Sequence, residues 1–203
     1  RGIIVVSVNY RVGVYGFLAH PELSREAGSS GNYALLDQIA GLEWVKRNIA
    51  AFGGDAGRVT IAGQSAGAAS VHALIASPKA KGLFHRAIAQ SGSGMGIAWP
   101  PATEAEALGE RLAKAAGVTS LAELRGLSPD KLAAAARDPA MAGGRFGLVS
   151  GTPELPGPGA VSLVPILTGL TADEGSAISP EYRLDSASKI REALDRRYGA
   201  FAD

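Results

Sequence analysis

A serine set among small residues is the position in this sequence best suited to covalent chemistry. Ser65 lies in the run Gly63-Gln64-Ser65-Ala66-Gly67, which has the G-x-S-x-G spacing of a nucleophile elbow. In such a turn the serine hydroxyl stands clear of a sheet, and the backbone N–H of the next residue can donate to a developing oxyanion. The spacing alone is a weak signal in a chain with 27 glycines. A helix N-cap is the alternative role for this serine.

The elements around Ser65 decide between the two roles, because an elbow needs a strand entering and a helix leaving. Residues 59–62, Val-Thr-Ile-Ala, predict a short buried strand ahead of the turn. The alanine-rich residues 66–76 predict a helix that ends before a proline. We expect Gly63 and Gly67 to let this strand and helix pass closely, since neither carries a side chain. The order of strand, sharp turn and helix favours the nucleophile.

Other segments predict a mostly parallel sheet with helices on its faces. The uncharged, β-branched residues 3–8 have the pattern of a strand buried on both faces, with a buried helix as the alternative. Asn32 is the predicted cap of an apolar-periodic helix that ends before the Gly53-Gly54 pair. Two further strands are predicted over residues 87–89 and 164–167.

The middle of the chain predicts an excursion from this sheet. Residues 103–137 are helical in pattern, with two breaks, and residues 139–160 predict a loop that returns the chain. A last helix is predicted over 187–198. We therefore expect one partial domain, with a sheet core of residues 1–94 and 163–203 and a helical and loop excursion of residues 95–162.

Composition excludes several classes of function. The 20 basic and 19 acidic residues give a net charge of +1 and form no block that could follow a phosphate backbone, so no nucleic acid partner is expected. No apolar run approaches the roughly 20 residues of a membrane span. Dinucleotide binding would need G-x-G-x-x-G after a strand, a spacing the chain lacks. Without cysteine there is no thiolate metal site, and the cellular compartment stays open.

A longer run around Ser65 closely resembles the serine signature of type B carboxylesterases and cholinesterases. The run covers residues 52–67, with Ala56 where the family usually has proline. Other segments are similar to the same family in the same order: Ser7 to Arg11, Gly16 to Leu18, Gly31-Asn32, Asp37-Gln38, Trp44-Val45, Ala89 to Gly92 and Asp173 to Gly175. Residues 95–162 share only a helical, alanine-rich character with it. The resemblance implies an α/β-hydrolase fold, present here in part.

The resemblance also implies roles for individual residues. Ser65 matches the nucleophile and Glu174 the triad acid, while sequence patterns alone do not choose Glu174 over Asp173 and allow a solvated loop carboxylate. The oxyanion donor implied is Ala66, and the elbow is completed by Gly63, Gln64 and Gly67. The implied activity is hydrolysis of a small carboxylic ester through an acyl-enzyme, with no cofactor and no metal. The alternative is a non-catalytic binding or adhesion domain of the same fold.

A general base is the part that these residues do not supply. His72 lies about 10 Å along the helix from Ser65, His85 precedes its strand at the far end of the sheet, and His20 suits a structural role better. The resemblance implies a histidine beyond the last residue and a glycine-rich oxyanion segment ahead of the first strand. Because losing the triad histidine can cost about 10⁶ in turnover, we expect the 203 residues alone to be close to inactive.

Overall fold

The computed structural model describes residues 2–92, 99–157, 161–172, 174 and 184–199. The chain divides into two compact units, Arg1–Thr168 and Gly169–Asp203; the prediction of a single domain stays a prediction. The helices are α1 (Gly13–Phe17), α2 (Pro21–Ala27), α3 (Tyr33–Asn48), α4 (Ala66–Ala76), α5 (Ala102–Ala115), α6 (Leu121–Arg125), α7 (Pro129–Ala136) and α8 (Ala187–Tyr198). The strands are β1 (Thr60–Gln64), β2 (Arg86–Gln90) and β3 (Ile166–Gly169).

The sheet confirms the predicted parallel arrangement around the serine. Its strands have the order β1-β2-β3, so β2 is central among the described strands. β1 and β2 are parallel, with Gln64 and Gln90 as partners at their carboxyl ends. All three strands lie within two residues of the predicted positions. The carboxyl ends of β1 and β2 therefore meet at one edge of the sheet, the edge at which α/β proteins place their sites.

The main apolar core lies where α3 and α4 meet the sheet. It joins Leu35 and Ile39 of α3 with Val71 and Leu74 of α4 and with Ile61 of β1. The helix α4 spans the same residues as predicted, because a run rich in alanine has strong helix propensity and the proline after it stops the helix. This core holds β1 and α4, the two elements that flank Ser65, through one face of each.

Residues 3–8 do not form the predicted buried strand. Within the described part of the chain, residues 2–12 belong to no strand or helix, and Ile3 and Val5 are 81% and 86% exposed. One side of the run does pack on its neighbours, since a methyl group added at Gly41 would lie 3.0 Å from Val8 and one added at Gly54 would lie 3.1 Å from Ile4. The apolar pattern is present, but no described strand pairs with this backbone, and a strand exists only where a partner accepts and donates its hydrogen bonds.

The predicted cap of α3 was right in position and wrong in chemistry. Asn32 immediately precedes the helix, yet its side chain makes no bond to the helix. It donates instead to the backbone oxygen of Val149 at 2.8 Å and to Oγ1 of Thr152 at 2.9 Å, and it accepts from the Val149 N–H at 3.0 Å. Asn32 is only 2% exposed. The Asn32 side chain does not cap α3 because it satisfies the buried backbone of the loop at Val149 instead.

The excursion has its own small core. Leu108 and Leu112 of α5 pack with Ala135 of α7 and with Met141 in a separate buried cluster. The predicted loop then returns to the main core, where Leu155 is fully buried. Beside it the buried Glu154 carboxylate accepts from Lys79 Nζ at 2.8 Å. Burial opposes ionisation of Glu154, but its hydrogen bonds, led by the one from Lys79, outweigh burial and lower its pKa.

The second unit contributes α8, which spans the predicted residues. Its N-cap is Ser186, whose side chain accepts from the Lys189 N–H at 3.4 Å. Exposed pairs four residues apart, such as Lys189 with Asp185, line its surface. In the described ranges, no helix is both long enough and apolar enough to cross a bilayer.

Candidate active site

One residue, Ser65, separates the end of β1 from the start of α4. Its backbone angles are φ 54° and ψ −115°, a conformation that costs a side-chain-bearing residue about 1–3 kcal/mol. Ser65 is exposed, and its side chain makes no capping hydrogen bond to α4. Ser65 therefore occupies the N-cap position of α4, but its hydroxyl does not cap the helix. Ser65 thus has a strained backbone and a hydroxyl that makes no bond to the helix. It lies at the carboxyl edge of the sheet, where α/β proteins place their active sites.

Backbone hydrogen bonds hold this strained conformation from two sides. The Ser65 N–H donates to the carbonyl oxygen of Gln90, at the end of the neighbouring strand, at 2.9 Å. The Ser65 carbonyl oxygen accepts from the Ala69 N–H, in the first turn of α4, at 3.1 Å. The turn is thus tied to β2 as well as to its own helix, which is what allows an unfavourable backbone conformation to persist.

The two elbow glycines have different reasons to be glycine. A Cβ at Gly63 would lie 2.2 Å from the backbone oxygen of Gly67, so a side chain at position 63 cannot fit unless the turn opens. A Cβ at Gly67 would meet no atom within 4 Å. The expectation that both glycines are needed for close passage is therefore right for Gly63 and wrong for Gly67. It is the bare backbone of Gly67, rather than its missing side chain, that makes the contact.

Ala66 and Gln64 flank the serine as the sequence predicts. Ala66 is the first residue of α4, so its N–H has no acceptor within the helix and lies at the positive end of the helix dipole. Gln64 is the last residue of β1 and is exposed. The turn therefore presents a hydroxyl and a helix-end N–H on adjacent residues. In such a pair the hydroxyl can attack a carbonyl carbon, and the N–H can donate a hydrogen bond to the oxygen that becomes negative.

Glu174 lies in the second unit, beyond β3. Its Oε2 accepts from the Thr171 N–H at 2.9 Å and from the Thr171 hydroxyl at 3.0 Å. Its predicted neighbours in the acidic motif, Asp173 and Gly175, fall outside the described residues. Its assignment as the triad acid stays a prediction. In the described segments, no three potential His, Cys, Asp or Glu metal ligands come together.

Two of the three histidines have structural roles. His20 is buried, and its Nδ1 accepts from the Glu22 N–H at 3.2 Å, which caps α2. His85 Nδ1 accepts from the Val59 N–H at 3.3 Å, at the amino end of the strands and so at the opposite edge from Ser65. His72 lies on α4, seven residues after the serine. At a rise of 1.5 Å per residue, seven residues put His72 about 10 Å along the helix axis from the serine.

An ion pair that spacing did not predict joins two of the motif segments. Asp37 of α3 accepts from the Arg11 side chain at 2.7 and 2.8 Å and from the Arg11 N–H at 3.0 Å. The Arg11 guanidinium also lies 5.3 Å from the ring centre of Tyr33. Hydrogen bonding to Arg11 lowers the pKa of Asp37. The residues are 26 positions apart, and only their shared appearance in the family motifs signals a connection.

Comparisons with known proteins agree on one family. Residues 1–198 match the model of the carboxylesterase family. The chain is 37% identical to a fumonisin B1 esterase of Sphingopyxis macrogoltabida, over all of this chain and 39% of that protein. It is 46% identical to a probable N-octanoylanthranilate hydrolase of Rhodococcus erythropolis, over 76% of this chain and 32% of that protein.

The fold is likewise similar to solved esterase structures. A carboxylesterase of Geobacillus stearothermophilus matches with a TM-score of 0.74 and 35% identity, over 94% of this chain and 44% of that one. The architecture is thus that of an α/β-hydrolase in part, as the resemblance implied. The chain spans less than half the length of each of these relatives.

Proposed function

Because the chain belongs to the carboxylesterase family, we propose that its complete protein hydrolyses carboxylic esters through an acyl-enzyme on Ser65. The observation that supports this most directly is the Ser65 backbone, at φ 54° between a parallel strand and a helix. A strained serine costs stability, and neither helix capping nor burial accounts for it here. An exposed nucleophile does account for it.

In the first half of the reaction, Ser65 Oγ attacks the carbonyl carbon of the ester as a base takes the hydroxyl proton. The carbonyl double bond opens to an oxyanion, which accepts a hydrogen bond from the Ala66 N–H. The oxyanion then collapses, the bond to the alkoxy oxygen breaks, and the alcohol leaves with the proton from the base. An ester of the Ser65 hydroxyl remains on the enzyme.

In the second half, water repeats the attack on the acyl-enzyme and gives up a proton to the same base. The carboxylic acid leaves, and Ser65 regains its proton. We place the base, an imidazole, in a part of the complete protein outside these residues, because His20 and His85 are engaged elsewhere and His72 is two turns along α4. Glu174 would orient that imidazole as the acid of the triad. The second oxyanion donor would also come from a part of the complete protein outside these 203 residues.

A fluorophosphonate probe on the complete protein tests this proposal. The probe labels only a serine that is activated as a nucleophile. We expect the wild-type protein to be labelled and Ser65→Ala to lose both the label and hydrolysis of p-nitrophenyl acetate, by about 10⁶ in turnover. The matched control is Ser70→Ala, on the same helix, where the hydroxyl accepts from Gln38 at 3.1 Å. This variant should be labelled like the wild type.

The binding or adhesion alternative makes the opposite prediction. A non-catalytic domain needs no activated serine, so neither the wild type nor either variant would react with the probe. Persistent labelling of Ser65→Ala would place the nucleophile at another serine. Either result would overturn the proposal, and the two results are distinguishable.

A further inference from the structure

The two parallel strands beside the site end in the same way. β1 ends in Gln64 and β2 in Gln90, and each glutamine is followed by a serine. Ser65 has φ 54° and Ser91 has φ 52°, and in the described ranges these are the two residues other than glycine with positive φ. Gln64 and Gln90 are register partners. The two strained turns therefore leave the sheet side by side.

The second turn makes direct contact with the backbone of the first. The Gln90 carbonyl oxygen accepts the Ser65 N–H at 2.9 Å. A Cβ placed on Gly92 would lie 2.7 Å from the Ser65 carbonyl oxygen and 2.6 Å from the Ala68 Cβ. Gly92 has no positive φ, so close approach, and not backbone conformation, requires glycine there. Ser65 is thus bonded at its N–H by Gln90 and closely approached at its carbonyl by Gly92.

We propose that the turn formed by Gln90, Ser91 and Gly92 is a positioning device for the nucleophile, and that Gly92 is its critical positioning residue. The proposal rests on the role of Ser65 in the proposed function. In the proposed mechanism, none of these three residues touches the substrate. They act through the backbone of Ser65.

Successive contacts link Gly92 to the groups that take part in the proposed reaction, so a small change at Gly92 would affect the rate. The Ser65 carbonyl that Gly92 approaches also accepts the Ala69 N–H at 3.1 Å, so pushing it away disturbs the first turn of α4. That turn begins with Ala66, the oxyanion donor of the proposed mechanism. A displacement of about 1 Å at reacting groups can cost about 10²-fold in rate.

The test is Gly92→Ala in the complete protein. We expect kcat for p-nitrophenyl acetate, and the rate of fluorophosphonate labelling, to fall about 10- to 100-fold while KM changes less than about 2-fold. Two other glycine-to-alanine variants are the controls. A Cβ at Gly144 would lie 2.4 Å from the Leu108 side chain, far along the chain in the excursion, and a Cβ at Gly147 would meet nothing within 4 Å.

The controls separate positioning from general disruption. Gly144→Ala should lower the melting temperature and leave kcat of the folded protein unchanged, and Gly147→Ala should change neither. A folded Gly92→Ala variant with wild-type kcat would overturn the proposal, as would a kcat loss of equal size in Gly144→Ala. An unlabelled wild type would instead refute the proposed function.

Hydrogen exchange on the wild type keeps the test decisive if Gly92→Ala does not fold. The Ser65 residue is exposed, but its N–H is bonded to Gln90. Its amide should therefore exchange as slowly as the paired amides of β1. Exchange at the rate of an open loop would show that Gln90 does not hold the turn.

Discussion

Two apolar segments of this chain have the same β-branched pattern but differ in structure. Residues 59–62 and residues 3–8 are both rich in β-branched residues, and both predict strands buried in a parallel sheet. The first lies largely within β1, where Ile61 is 7% exposed, although Thr60 and Ala62 are exposed and the strand is buried on one face only. The second forms no strand, and its Val5 is 86% exposed. The β-branched pattern shows that a segment can form a strand. Whether it does so depends on a neighbouring strand with which its backbone can pair.

The contrast matters for the proposed function because Ser65, the proposed nucleophile, follows the segment that pairs with a neighbouring strand. β1 pairs with β2, and α4 packs on both. Ser65 can then hold an unfavourable conformation, since the surrounding contacts restrain it from both sides. A strained turn at the end of an unpaired segment would have no such support.

The largest effect is expected at Gly63, where the restraint on the elbow is tightest. In Gly63→Ala, the new methyl group would overlap the backbone oxygen of Gly67, which cannot move without opening the turn. The variant should lose about 4 kcal/mol or more of stability, measured by urea denaturation.

Gly67→Ala is the matched control for that variant, since its methyl group would enter open space. It should change stability by less than about 1 kcal/mol, and towards stabilisation, because alanine favours the helix. Equal losses of stability in the two variants would contradict the difference in packing between Gly63 and Gly67.

An intermediate effect should distinguish the two apolar segments themselves. Ile61→Ala removes buried methyl groups from the main core and should cost about 3 kcal/mol in the 203-residue chain. Val5→Ala removes exposed ones and should cost less than about 0.5 kcal/mol. Denaturation curves of the two variants measure this difference. A cost at Val5 close to that at Ile61 would mean that residues 3–8 are covered in solution.

A smaller effect is expected at Asn32, which gives an otherwise irregular loop its partners. Asn32→Ala leaves the Val149 backbone and the Thr152 hydroxyl without their bonds in a buried setting, at a cost of about 2 kcal/mol. Asn48→Ala is the control, because Asn48 makes one exposed bond to the Trp44 carbonyl, and it should cost less than about 0.5 kcal/mol. A loss in Asn32→Ala no larger than in Asn48→Ala would show that the loop does not depend on this side chain.

Much of the fold could be predicted where the determining interactions are local. The bounds of α4 and α8 follow from helix propensity and from the residues that stop or cap them. The fate of residues 3–8 and the use of Asn32 depend on groups far along the chain, which no local pattern contains. The pairing of Arg11 with Asp37 likewise joins residues that are far apart in the sequence, so no local pattern predicts it.

The candidate site was predictable to a similar degree. The G-x-S-x-G spacing and its flanking elements located Ser65, Ala66 and Gly63, because a strand, a sharp turn and a helix are each local. The spacing suggests a wrong reason for Gly67, since the direction in which an added Cβ would point depends on the folded turn. The choice of Glu174 came from resemblance alone. Support for the serine from Gly92 depends on the pairing of β1 with β2, which a single strand does not reveal.

Trapping the acyl-enzyme would show whether Ser65 carries the acyl group during turnover. The complete protein would be mixed with p-nitrophenyl acetate, quenched in acid within one turnover, digested and examined by mass spectrometry. If Ser65 carries the acyl group, the peptide that contains it will have one acetyl group, and the same peptide from Ser65→Ala will have none. Acetylation of a different residue during turnover, or turnover without any acetylated peptide, would contradict it.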